Sequence, residues 1–149
     1  MKKGVCVFII LLLAGILTAQ SAVFIDELLT SKKITYAQAI YLVCVGNGEY
    51  QDTAKLEDIF PEAVQRKWVS AAVQPEKPIT VAQYAYLVMR AFGIGGGLLY
   101  TLFPGPRYGY RELVYKGLIP GTMDPDAFVS GVLALRIVRI AAEIKGFDL

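Results

Sequence analysis

The sequence predicts an all-α fold built from repeated helix-loop-helix units, on three observations. A phrase recurs almost verbatim: "ITYAQAIYLV" at 34–43 returns as "ITVAQYAYLV" at 79–88, identical at seven of ten positions. Each copy opens with the same helix-starting chemistry. Each copy also runs into a glycine stop. The three capped helices, the third starting at Ser130, are expected to pack together as a pseudo-threefold core, because they share apolar character and recur at spacings of 45 and 50 residues.

The N-terminus carries an address rather than a fold. Met1-Lys2-Lys3 is followed by an apolar run from Val5 to Leu17, broken only by Gly15, and then by Thr18-Ala19-Gln20-Ser21-Ala22. This is the pattern of a bacterial secretory signal peptide at 1–19, with cleavage after Ala19 or, failing that, after Ala22. An uncleaved signal anchor is the alternative, against which the run is short for a span of ~20 residues. Cys6 lies within the apolar run with no small-residue lipid-attachment box before it, which argues against a lipoprotein. The localisation expected is therefore periplasm or cell surface.

Removing residues 1–19 takes Lys2 and Lys3 out of the 15 basic side chains and leaves the rest equal in number to the 13 acidic ones. A neutral domain over 20–149 lacks the electrostatic footprint of a nucleic-acid binder. Its length suits one domain with a real core. Of the two cysteines only Cys44 remains, in the apolar run "AIYLVCV", so no intrachain disulfide is possible and a buried core thiol is expected. There are no histidines, which removes the commonest metal ligand and general base. No cofactor or metal site is expected, and no enzyme.

The elements follow in order. A half unit spans 30–48, with a helix near 34–45. Thr35 caps it, Gln38 reaches back three positions later to complete a capping box, and Gly46-Asn47-Gly48 ends it. A unit over 58–93 begins with a helix at 61–74. There Pro61 suits the first turn, and Val64, Trp68, Ala71 and Ala72 fall on one face, with Trp68 as the core anchor. "PEKP" breaks it. The helix at 80–92 repeats the box with Thr80 and Gln83, Ile79 and Tyr84 stand at hydrophobic-staple positions, and Gly93 stops it.

A second unit over 103–145 pairs a helix at 107–116 with one at 130–145. The first places Tyr110, Leu113 and Val114 together, offers a Glu112–Lys116 pair and ends at Gly117. The second has Ser130 at the cap but Leu133 where the reciprocal Gln would be. Arg136, Arg139 and Glu143 form one polar stripe on it.

The run "ELVYKGLIPGTMDPDAFVSGVLALRIVRIA" resembles the S-layer homology domain family, and "KWVSAAVQPEKPITVAQYAYLVMRAFG" fits the same frame with a shortened loop. The family shows a first helix ending in a Lys-Gly-Ile type phrase, a Gly/Asp-rich loop with Phe-x-Pro, and Ile-Thr-Arg-Ala-Glu opening a second helix. The likeness covers roughly residues 30–145. It implies the helical fold, an envelope address, and cell-wall or envelope glycan, or an envelope protein, as partner. The family's Arg, which contributes to the polysaccharide groove, is replaced by Tyr36, Val81 and Gly131, and its Glu by Gln38, Gln83 and Leu133.

The function expected is a non-enzymatic binding or structural module of the envelope. A small secreted glycan hydrolase using carboxylates such as Glu57, Asp58 and Glu62, or a protein-protein interaction module of the periplasm, is the alternative. The candidate ligand-binding residues are Arg107, Tyr108, Tyr110 and Arg111. Arg107 and Arg111 are four apart on a helix and can grip one anionic group, next to a loop shaped by Gly95–Gly97, Pro104 and Pro106. The other reading makes the aromatics of this segment, Tyr100 and Phe103 among them, part of the core, with the arginines on its rim.

The three glycines lack a following Lys-Ser/Thr and a preceding strand, so they read as a linker or close-packing turn rather than a phosphate loop. Asp124-Pro125-Asp126 lacks the ligand spacing of a calcium loop and reads as an Asx turn.

Overall fold

The structure, a computed structural model, is described over residues 23–51 and 54–146. The leader read at 1–19 and both cleavage positions lie outside these residues. The described residues are all-helical. They comprise α1 (23–30), α2 (Tyr36–Gly46), α3 (Leu56–Gln65), α4 (Val81–Ala91), α5 (Leu98–Leu102), α6 (Pro106–Tyr115) and α7 (Gly131–Lys145). The only extended pairing among them is two isolated bridges, Thr35 with Pro78 and Thr80 with Phe128.

The capped helices begin as their side chains dictate. In α2 the Gln38 N–H donates to the Thr35 hydroxyl at 3.2 Å, and Gln38 Oε1 accepts from the Thr35 N–H at 3.0 Å. In α4, Gln83 and Thr80 make the same pair of bonds at 3.4 and 3.0 Å. In α7 the Leu133 N–H donates to Ser130 Oγ at 3.3 Å, without a reciprocal partner.

The remaining orphan amides of these helix starts are met by neighbouring loops. Tyr36 and Ala37 donate to the carbonyls of Lys77 and Pro75, Val81 and Ala82 to those of Ala127 and Pro125, and Gly131 to that of Ser31. The residues just before the caps close a ring. Ile34 donates to Val129, Ile79 to Ile34, and Val129 to Ile79, at 2.9, 3.1 and 3.1 Å. All three side chains are buried.

α4 lies at the centre, packed on α6, α2 and α7, while α2 also packs on α3 and α7. The core gathers Ile34, Ile40, Val43, Ile59, Ile79, Tyr84, Leu87, Met89, Leu113, Ile137 and Ala141, among others. Cys44 is buried there as a free thiol.

Two segments differ from the sequence reading. The helix expected at 61–74 runs from Leu56 to Gln65, with Pro61 inside it rather than at its start. It ends in a Schellman turn: Lys67 takes a left-handed φ of 58°, its N–H donates to the Val64 carbonyl, and the Trp68 N–H donates to Ala63 at 2.9 Å. Trp68 reaches the core from just past this turn, not from a helix face, and Ala71 and Ala72 are exposed.

The same turn ends α6, with Gly117 at φ 78° and the Leu118 N–H on Leu113, and ends α4, with the Ile94 N–H on Met89. Each turn drives an apolar residue inward. The second difference is two unanticipated helices, α1 and α5. Five residues at α5 hold too few periodic positions to be read.

Candidate functional site

A cleft of about 640 Å³ opens between the start of α4, the outer face of α6 and the loop before α7. From α4 come Thr80, Ala82 and Gln83; from α6, Pro106, Arg107, Tyr110 and Arg111; from the loop, Pro125 and Asp126. Arg107, Tyr110 and Arg111 stand at i, i+3 and i+4, so α6 presents them on one side. Tyr108, the fourth sequence candidate, does not line this cleft. One residue on from Arg107 turns a side chain about 100° around the helix, and Tyr108 lies near Phe103 instead, with ring centroids 6.4 Å apart.

The start of α4 offers no free amides to a ligand. The N–H groups of Thr80, Val81, Ala82 and Gln83 are all engaged, by the capping box and by the carbonyls of Ala127 and Pro125. Any grip on an anion therefore falls to the two guanidinium groups, both exposed. The Asp126 carboxylate is the counter-charge in the cleft, so its formal balance is two positive to one negative. Gln83 contributes an amide whose Oε1 accepts from the Thr80 N–H.

Tyr110 supplies an aromatic wall and a tie: its hydroxyl donates to the Met123 carbonyl at 2.6 Å, holding the loop on α6. The Asp126 N–H donates to Asp124 Oδ1 at 2.9 Å, the Asx turn the sequence indicates.

Gln83 and Pro106 also line a second, more apolar cleft of about 220 Å³ with Tyr36, Trp68, Val73 and Tyr86. A third, of about 360 Å³, lies around Tyr36, Lys77 and Gln83. Burial pushes the Tyr36 phenol above its usual range. Sequence reasoning missed Thr80, Gln83 and Asp126 as lining residues. Their capping and turn roles masked a second use, and their nearness to α6 is long-range.

The segment before α6 resolves into separate roles. Tyr100 is buried, Tyr108 and Tyr110 are half-buried, and Phe103 is exposed, so the aromatics form neither one core cluster nor one ligand face. Two of the three glycines are closely packed, while a Cβ on Gly95 would meet nothing within 4 Å. A Cβ on Gly96 would stand 2.6 Å from the Tyr100 ring, and one on Gly97 would stand 3.1 Å from Glu112 Oε1. Glu112 does not form the expected ion pair with Lys116; its Oε1 accepts from the Gly97 N–H at 2.9 Å.

The carboxylates Glu57, Asp58 and Glu62 of α3 line none of the three clefts, and Glu62 pairs with Arg66, which also binds Glu49 at 2.7 Å. Cys44 is no nucleophile: burial first, then the nearby Glu49 and Glu62, push its thiol up to about 12. No group of three or more potential metal-ligating side chains occurs among the described residues.

Taken together, the class is an all-α domain with a mixed-charge cleft open to solvent. Comparison with family models, with curated proteins and with solved structures returned no match.

Proposed function

We propose that the chain is an exported, non-enzymatic module of the bacterial envelope that resembles an S-layer homology domain and associates with an anionic envelope glycan through the α4–α6 cleft. The observation that carries this reading is the convergence of Arg107, Tyr110 and Arg111 in a cleft of about 640 Å³. Guanidinium groups grip carboxylate or phosphate substituents, and an aromatic wall packs on sugar faces. Since α4 has no free N-terminal amides and the family's groove Arg is absent from Tyr36, Val81 and Gly131, the arginines of α6 take over the anionic contact.

In this reading the three capped helices are related by a pseudo-threefold axis. The closed ring of hydrogen bonds among Ile34, Ile79 and Val129 supports it, as does the repeated donation of helix-start amides to the next loop. A carboxylate-based glycan hydrolase is disfavoured by the placement of Glu57, Asp58 and Glu62 away from the clefts.

The test is retention of the purified protein on cell-wall material and on envelope extract. Arg107→Ala/Arg111→Ala should fold as the parent does and lose retention on the glycan fraction. Undiminished retention would put the site elsewhere, and retention only on envelope proteins would favour a protein-protein module.

A further inference from the structure

α5 presents an apolar surface that the rest of the described fold leaves uncovered. Leu98, Leu99, Leu102 and Phe103 are 74%, 51%, 59% and 61% exposed. Clusters of large apolar side chains at one exposed point mark contact surfaces. The helix is nevertheless firmly seated. Tyr100 is buried from its underside, near Tyr86 with ring centroids 6.4 Å apart, and Glu112 holds the Gly97 N–H at its start.

The cations bordering it, Arg90 and Lys145, outnumber the one acid, Glu112. Arg90 is close enough to act on the Tyr100 phenol, and Lys145 reaches the Gly93 carbonyl at 3.3 Å. Glu112, which accepts from the Gly97 N–H, is the acid at its start and also acts on the Tyr100 phenol. A second copy docking face to face would bring like charges together. An apolar tip with aromatic and basic flanks is instead matched by an anionic lipid surface, where apolar groups enter the acyl boundary and cations meet headgroups.

We infer that α5 is a membrane-surface docking element, with Leu98, Leu99, Leu102 and Phe103 inserting among the lipids and Arg90 and Lys145 facing anionic headgroups. Tyr108, beside Phe103, stands at the headgroup level that suits an amphipathic ring. The inference goes beyond the glycan reading and uses a different surface, since none of the inserting residues lines the α4–α6 cleft.

Hydrogen–deuterium exchange of the full chain tests it, because the readout is local to α5 whatever else touches the vesicle. Vesicles of phosphatidylcholine, with and without phosphatidylglycerol, are the probes. Amides 98–103 should gain protection with phosphatidylglycerol, less so in high salt, and lose that gain in Leu98→Ser/Leu102→Ser/Phe103→Ser. This variant should still be retained on the glycan fraction, so the two proposals fail separately. Unchanged exchange at 98–103 on vesicles, or a gain that the triple variant keeps, overturns the inference. So does protection that appears without lipid as protein concentration rises, which would mean a second copy covers the helix.

Discussion

The Ile79 amide donates to the Ile34 carbonyl at 3.1 Å, joining the two near-identical phrases of the chain through their backbones, one residue before each cap. Val129, at the same place before Ser130, completes the ring. The caps consequently do two jobs. They start helices, and they hold the extended residues before them in the geometry that lets three distant segments bond. Four consequences can be measured.

Loss of a cap should destabilise the whole domain. Thr35→Ala and Thr80→Ala each remove a hydroxyl that accepts an N3 amide within a capping box, which costs about 1 kcal/mol. Chemical denaturation should show lower midpoints for both. An unchanged midpoint in either variant would show that the box contributes nothing.

Gly131→Ala should be more damaging than either. A Cβ there would stand 1.7 Å from the Leu28 carbonyl oxygen and 2.5 Å from its carbon, both backbone atoms of α1. Relief requires α1 to move off α7, at a cost of about 3 kcal/mol, the upper end for overpacking. Gly105→Ala is the control, because a Cβ there meets nothing within 4 Å. Equal midpoints for the two variants would show that α1 does not pack on α7 in this way.

Stability should fall with pH above about 9. Burial first, then Glu49 and Glu62, push the Cys44 thiol from its ordinary 9.0 up to about 12, and burial also raises the phenols of Tyr36, Tyr84 and Tyr100. Between the unfolded and folded values the unfolded chain has lost protons that the native chain still holds, so unfolding is favoured as pH rises. Below that window the contribution is fully present. Cys44→Val should flatten the midpoint-against-pH curve, with the tyrosines supplying the slope that remains. The same burial predicts that a thiol reagent at pH 8 modifies Cys44 only on unfolding.

Export should leave a shortened chain. Intact mass measurement of the protein recovered from outside the cytoplasm should place the N-terminus at Gln20 or Val23. Recovery of intact Met1 in the membrane fraction would establish an anchor instead.

Local chemistry was legible because it needs only near neighbours. Thr35 with Gln38, Thr80 with Gln83, and Ser130 alone announce three helix starts, and the structure has α2, α4 and α7 beginning at the next residue in each case. The four-residue spacing of Arg107 and Arg111 likewise specified a shared face, whereas Tyr110, read with Leu113 and Val114, is a cleft wall beside them only in the folded chain.

Tertiary structure decided what depends on distant partners. Trp68 lies beyond α3 because a left-handed Lys67 closes the helix early, at a position the 3.6-residue pattern cannot mark. Glu112 leaves Lys116 for the Gly97 amide 15 positions back. Thr80, Gln83 and Asp126 become cleft walls only when α4 and the 118–130 loop meet α6. Periodicity and caps are properties of a few consecutive residues. A cleft and an uncovered helix are properties of what packing brings together, and of what it leaves exposed.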